Sequence, residues 1–311
     1  MTVDQMPRGR REGVLPDLSI RQLEYLVAVS ESSTWAVAAE SVGVSPSALS
    51  QGLAELERRL GVPLFERDGR RRVLRPEAGV VLAHARQVVG LTGDLTRWAE
   101  RVRQGQEGEV RVGMIDAAAV VHFPEVLRSF RARRADLELR LSVGPSAALF
   151  AELVAGRLDL AVGVDPPEPV PGIDLEPLLV EALAVFAPPG VEIGAPDTWG
   201  PWVLFPEGSH TRSTIEEELA ARGATVSLTA ESHQPEVLEA MVELDLGWTV
   251  LPVSRTRAED PATGPVIGHR QLVAAVRAGS PLSPAVEALL ADLVDCCRVE
   301  AELAGDTGTH D

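Results

Sequence analysis

The 311-residue sequence contains no lysine: all 29 of its basic residues are arginine, set against 46 acids for a formal charge of −17. So acidic a chain is no general polyanion binder. A local nucleic-acid site stays open to it, because phosphate contact depends on where charge lies and not on its sum. Cysteine is nearly missing. Two adjacent thiols, Cys296 and Cys297, make neither a disulfide framework nor a zinc spacing. Buried thiols are the ordinary reading of that pair and a redox sensor the rarer one. No run approaches the roughly 18–20 apolar residues of a membrane helix. The opening MTVDQMPRGRREGVLPD holds no apolar segment of signal-peptide length. Also missing are Gly-x-Ser-x-Gly, His-Glu-x-x-His, a Walker loop and a dinucleotide fingerprint, and the six histidines are scattered. These absences predict a soluble, cytoplasmic protein with no membrane partner, no metal, no cofactor and no catalytic residues.

What is present divides unevenly. A length of 311 residues, at roughly 100–200 per domain, predicts two or three domains. Residues 1–90 hold 12 arginines against 11 acids, whereas 91–311 hold 17 against 35. The densest positive cluster lies between Glu66 and Arg75, with five arginines and two acids.

Residues 1–17 carry no periodicity and predict a disordered arm, whose Arg8, Arg10 and Arg11 read as a solvated tail before they read as DNA contacts. From Ile20 the positions Leu23, Leu26, Val27 and Val29 follow helical spacing. Thr34 is placed to cap Trp35–Val42, and Gly43 ends that helix. Ser45-Pro46 then supplies a cap followed by proline at the first helical position, and Leu49, Leu53, Leu56 and Leu60 recur at +4, +3, +4. VPLFERDGRRRVLR reads as a hairpin with Asp68-Gly69 at its tip. Helix, short turn, helix and basic hairpin together predict a winged helix-turn-helix over 18–75.

Pro76 opens a long helix, 76–104. Val81, Val88, Leu91, Leu95, Trp98 and Val102 recur in steps of three and four, with His84 in the one polar slot, which is the seam of a dimerising coiled coil. The other reading is a helix packed on its own domain. Residues 105–108 read as a hinge linker. Beyond 109 strands (Glu109–Gly113, Leu137–Val143, Leu158–Val164, Leu183–Ala187, Trp202–Phe205, Thr225–Thr229, Trp248–Leu251, Gln271–Arg277) alternate with helices (Ala117–Arg134, Ala147–Ala155, Thr211–Arg222, Pro235–Glu243, Pro284–Cys297). Such alternation predicts parallel sheets in an α/β architecture. Two rounds of it predict two lobes within 109–298, lobe I from 109–186 and 265–298 and lobe II from 187–264, followed by a flexible tail over 299–311.

The chain at this point resembles a LysR-type transcriptional regulator over nearly its whole ordered length. The resemblance is carried by Ala38-Ala39-Glu40, by Ala48-Leu49-Ser50 through Leu56-Glu57 and Leu60-Gly61-Val62-Pro63-Leu64-Phe65-Glu66-Arg67, by Gly156-Arg157-Leu158-Asp159-Leu160-Ala161 and by Gly247-Trp248-Thr249-Val250-Leu251-Pro252. It implies an N-terminal winged helix-turn-helix, a dimerising linker helix and a two-lobed effector domain similar to periplasmic binding proteins. It further implies double-stranded DNA with an interrupted inverted repeat in a promoter region, a small-molecule effector, a homodimer that assembles into a homotetramer, and contact with RNA polymerase. Departures stand at Pro46, where the family usually has Gln, at Gln51-Gly52, where it often has Arg-Gln, and at Leu74-Arg75, where the wing usually has Leu-Thr. They predict ordinary docking with an unusual base preference. Gly52 inside a helix costs about 1 kcal/mol relative to alanine, so it predicts a close approach to a neighbouring helix or backbone.

In such a motif the second helix enters the major groove with its N-terminal residues at base edges. The leucine stripe leaves Ser45, Pro46, Ser47, Ser50 and Gln51 facing outward, where Gln can pair with adenine and Ser with either base type. Thr34 is placed to offer its hydroxyl or backbone N–H to a phosphate. Arg67, Arg70, Arg71 and Arg72 are phosphate or minor-groove residues, with Arg67 alternatively held by an internal acid; Arg58 and Arg59 serve packing and solubility. The effector cleft is expected at strand ends between the lobes. That nominates Asp116, Ala117, Pro145 and Ser146 from one lobe and Phe205, His210, Thr211, Ser232 and His233 from the other. Relatives that bind carboxylates often have Ser or Thr where this chain has Ala117 and Pro145, and Asp116 suits an amine or polyhydroxyl ligand, or else merely caps a helix. The competing reading of the chain is a cytoplasmic small-molecule-binding protein whose helical head serves only for dimerisation. Wing arginines argue against it.

Overall fold

The computed structural model describes residues 17–68, 71–104, 108–255 and 263–306, which form two compact units dividing between Thr92 and Gly93. The expected arm apart from Asp17, the hairpin tip with Arg70, and most of the expected hinge lie outside the described residues, as do the side chains of Arg71, Trp98 and Val102.

In the first unit α1 (Ile20–Glu31) opens on a reciprocal cap: the Ser19 hydroxyl accepts from Arg21 N–H at 3.2 Å, and Gln22 Oε1 accepts from Ser19 N–H at 3.1 Å. Then follow α2 (Trp35–Ser41), α3 (Pro46–Leu60) and an antiparallel pair, β1 (Phe65–Asp68) and β2 (Arg71–Leu74), with Phe65 opposite Leu74. Leu49, Leu53 and Leu56 of α3 are fully buried with Leu26, Ala38 and Leu64. Each such leucine contributes about 1.5–3 kcal/mol, which holds the three short helices together. After a turn at Pro76–Ala78 comes α4 (Gly79–Gln104), whose Leu82 and Ala85 close the same core. Its first turns therefore belong to this unit.

The second unit contains β3 (Glu109–Met114), a wide turn at Ala118–His122, α5 (Pro124–Arg133), β4 (Glu138–Val143), α6 (Ser146–Val154), β5 (Leu160–Val164) and the long β6 (Ile173–Phe186). After these come β7 (Trp202–Leu204), α7 (His210–Ala221), β8 (Leu228–Glu231), α8 (Pro235–Glu243), β9 (Thr249–Pro252), the long β10 (Thr263–Arg277) and α9 (Pro284–Asp306). One sheet has the order β4-β3-β5-β10-β6-β9, and β7 pairs with β8 beside it. The uniformly parallel sheets expected from alternation are not formed. β3 is parallel to β4 and β5, but β10 runs antiparallel to both β5 and β6, and β9 antiparallel to β6. The segment expected as one helix over 117–134 divides before Pro124, which starts α5 at its first position. α9 continues to Asp306, into the expected tail.

Two cores separate the lobes. One holds Val112, Met114, Phe130, Phe150, Leu160 and Leu289; the other holds Trp202, Leu204, Ile215, Leu238, Trp248 and Val250. Leu183–Ala187, expected at the boundary between the lobes, packs in the second core, whereas Leu272–Ala275 packs in the first. The crossing therefore falls within β6 and β10, where Glu181 stands directly opposite Arg270.

Candidate DNA-contacting face and effector cleft

Thr34 caps α2, its hydroxyl accepting from Val37 N–H at 3.3 Å, and Ser45 caps α3, accepting from Ala48 N–H at 3.2 Å. Ser45 also shares a 3.0 Å hydrogen bond with Ser47. Thr34, Ser45, Pro46, Ser47 and Gln51 are exposed and Ser50 is half-buried. Gly52 lies against α1: a Cβ there would sit 2.7 Å from the ring carbons of buried Tyr25. On the hairpin Arg67 is exposed and makes no ion pair among the described residues. Arg72, assigned with it to DNA, is turned inward. Its guanidinium lies 5.1 Å from the Trp35 ring centre and 5.0 Å from that of Phe65, and Nη2 donates to Glu57 Oε2 at 2.8 Å. The internal acid takes Arg72, not Arg67.

Glu57 went unrecognised as an organiser in the sequence. Its Oε1 accepts from Leu64 N–H at 2.8 Å and Phe65 N–H at 3.1 Å, so one carboxylate fastens the start of the hairpin to α3. Arg58 and Arg59 are spent on Glu55, whose carboxyl their hydrogen bonds, Arg58 first, hold down to about 2.

Between the lobes of the second unit is a cavity of about 330 Å³. Of the nine expected residues it brings together Asp116, Ala117, Pro145, Ser146, Phe205, Thr211 and His233. His210 and Ser232 are not in its lining. His210 Nδ1 instead shares a 3.0 Å hydrogen bond with the Val164 carbonyl, joining α7 to β5, and the Ser232 hydroxyl accepts from Gln234 N–H at 3.1 Å. The lining adds Ser209, Gln234, Glu236 and Arg270, none of which sequence reasoning nominated.

Arg270 is buried, and its Nε and Nη2 donate to Glu181 Oε2 at 2.7 and 2.6 Å while Nη1 donates to Thr211 Oγ1 at 2.9 Å. Glu181 is also bound by His122 Nε2 at 2.7 Å and the Ser254 hydroxyl at 2.6 Å. Burial alone would raise its carboxyl pKa, but the His122 hydrogen bond, then the Arg270 charge and the Ser254 hydroxyl, bring it down to about 2. A buried acid at the crossing of β6 and β10 thus ties together His122 of the first lobe, Ser254 of the second and the wall of the cavity.

Residues 103–298 match the family described as "LysR substrate binding domain", and residues 20–79 match "Bacterial regulatory helix-turn-helix protein, lysR family". A "Probable hydrogen peroxide-inducible genes activator" of Streptomyces viridosporus is 29% identical over 298 residues, covering 90% of this chain and 95% of that protein. A full-length OxyR variant from Pseudomonas aeruginosa has a similar fold, with a TM-score of 0.56 at 22% identity over 90% of this chain and 97% of that one. The effector binding domain of QuiR in complex with shikimate gives 0.56 at 16% identity over 62% of this chain and 98% of that one. The chain belongs to the LysR family: it is a sequence-specific DNA-binding transcriptional regulator modulated by a small molecule, and not an enzyme.

Proposed function

We propose that the chain acts as a dimer on an interrupted inverted repeat in promoter DNA, with Pro46, Ser47, Ser50 and Gln51 at base edges and Thr34 and Arg67 at phosphates. Pro46, Ser47 and Gln51 are exposed along one end of α3, and Thr34 and Arg67 are exposed at the start of α2 and on the hairpin, which supports that placing. Along α4, Val88, Leu91 and Leu95 are 37%, 40% and 64% exposed, an apolar row that suits a partner helix. A tetramer through the second unit is supported by edge strand β4, which exposes Leu141. Contact with RNA polymerase belongs to the same proposal, with no residue assigned to it.

The effector binds in the cavity between the lobes. One observation carries this reading: the lining draws on both lobes and on Arg270 at their crossing, so an occupant that prefers one degree of closure shifts the equilibrium between closures. Thiol chemistry in this cavity is disfavoured, since Cys296 and Cys297 both lie on α9, packed against the first-lobe core.

Footprinting of the full chain on its own upstream intergenic DNA, with and without the small-molecule filtrate of a cell lysate, tests both parts. The expected result is a protected inverted repeat whose boundaries move on adding filtrate. No protection refutes the DNA assignment, and a footprint indifferent to filtrate refutes the effector assignment.

A further inference from the structure

We propose that Pro46 reads the methyl group of a thymine, so that each half-site of the operator carries a thymine under the first turn of α3. The inference rests on α3 being the helix that enters the major groove. Pro46 is the first residue of α3 and is exposed. Its ring holds neither donor nor acceptor, and a proline nitrogen in the chain has no hydrogen to give. In the major groove the bases present acceptors at N7, O6 and O4, donors at the N4 and N6 amino groups, and the C5 methyl of thymine. Against an apolar ring each of those polar groups loses water and gains no partner, which is disfavoured. The methyl alone gains from the contact, because two apolar surfaces leave water together.

The residues beside Pro46 offer little hydrogen bonding at the same place. Ser45 Oγ accepts from Ala48 N–H at 3.2 Å and shares a 3.0 Å hydrogen bond with Ser47 Oγ. One of the two hydroxyl protons therefore lies between the serines, and the pair keeps one to offer a base. Ala48 and Leu49 carry no polar side chain, and Leu49 is fully buried. The amide of Gln51 belongs to a residue about 7.5 Å further along the helix axis. Apolar contact is thus the chief thing the start of α3 has to give.

The ring is also held still. Proline fixes its own φ, and the Ser45 cap fixes the entry of the chain into α3. A surface that is rigid before binding loses little freedom on binding, so the methyl contact keeps its full worth.

Selection of duplexes from a random pool by the full chain defines the operator, and single thymines of each half-site are then replaced by uracil. Uracil keeps the pairing edge and O4 and lacks only the methyl. One position per half-site is expected at which wild type binds the uracil duplex about four-fold more weakly, the worth of roughly one CH2 taken out of water. Pro46→Ala is expected to bind the thymine and uracil duplexes equally at that position, and so is Pro46→Ser, a second residue suited to the first turn of a helix. Gln51→Ala is expected to keep the difference. The proposal is overturned if no single uracil weakens wild-type binding, or if both Pro46 variants keep the wild-type difference. Pro46 variants that relax the preference at a position other than a thymine leave α3 at the bases and remove the methyl contact. Pro46 variants with every base preference intact remove the placing of Pro46 at a base edge as well.

Discussion

Gly52 and Tyr25 meet where α3 crosses α1, and the contact sets how closely the recognition helix can lie on its support. Gly52→Ala gains about 1 kcal/mol in helix propensity, but its new methyl must displace a buried ring, at a cost of about 1–3 kcal/mol. The expected result is a lower urea midpoint, restored when Tyr25→Leu makes room; a Gly52→Ala chain more stable than wild type would sink the packing argument. The hairpin arginines divide in the same residue-level way. Arg67→Ala is expected to shallow the salt dependence of operator binding by about one unit, with stability unchanged. Arg72→Ala is expected to cost about 1–3 kcal/mol of stability, because it strips Glu57 of a partly buried charged partner and two rings of their cation. Gel shifts over a salt series and urea melts of both variants decide between these roles. The sequence reading offered the internal acid to Arg67, and the fold gives it to Arg72. Which one turns inward depends on Trp35 and Phe65, whose rings meet at 5.0 Å only after the hairpin folds back onto α2.

Elements were legible where one face of regular spacing meets one core. The leucines of α3 follow from helical spacing, and the start of α8 from proline at its first position. β6 and β10 were read only in part, because each crosses from one core to another. Polar residues interrupt the apolar run at the crossing: Glu181 in β6, and His269 and Arg270 in β10. The same cause hid Arg270 from the site, since its partner Glu181 is 89 positions away in sequence. Leu95 is 64% exposed, so Leu95→Asp costs a single chain little, yet it places an unpaired charge in a dimer seam. Light scattering of that variant is expected to show monomers at concentrations where wild type is dimeric; a dimer of undiminished mass would assign the row to something other than self-association.

Across the effector domain β10 joins three places. Arg270 faces the cleft and Glu181. Seven residues further along the same strand, Arg277 donates to the carbonyls of Leu153 at 3.0 Å and Leu158 at 2.5 Å, at the end of α6, and pairs with Asp94 of α4. Glu181 is the buried acid at the crossing itself. Its carboxyl is held at about 2 against an ordinary 4.5, so the folded state keeps it ionised more readily than the unfolded chain does. The stability it contributes is present above about 4.5 and is lost as pH falls through about 2. Glu181→Gln removes the charge while keeping the shape, so buried Arg270 loses the carboxylate to which it donates, and stability at neutral pH is expected to fall. Below about 4.5 the wild-type curve should fall toward that of the variant as the carboxylate is protonated, so the two converge in acid. Urea midpoints followed by tryptophan fluorescence, with Trp199, Trp202 and Trp248 all reporting from the second lobe's core, measure this directly. Curves that stay parallel from neutral pH down to acid would show that Glu181 does not carry the charge on which the hinge depends.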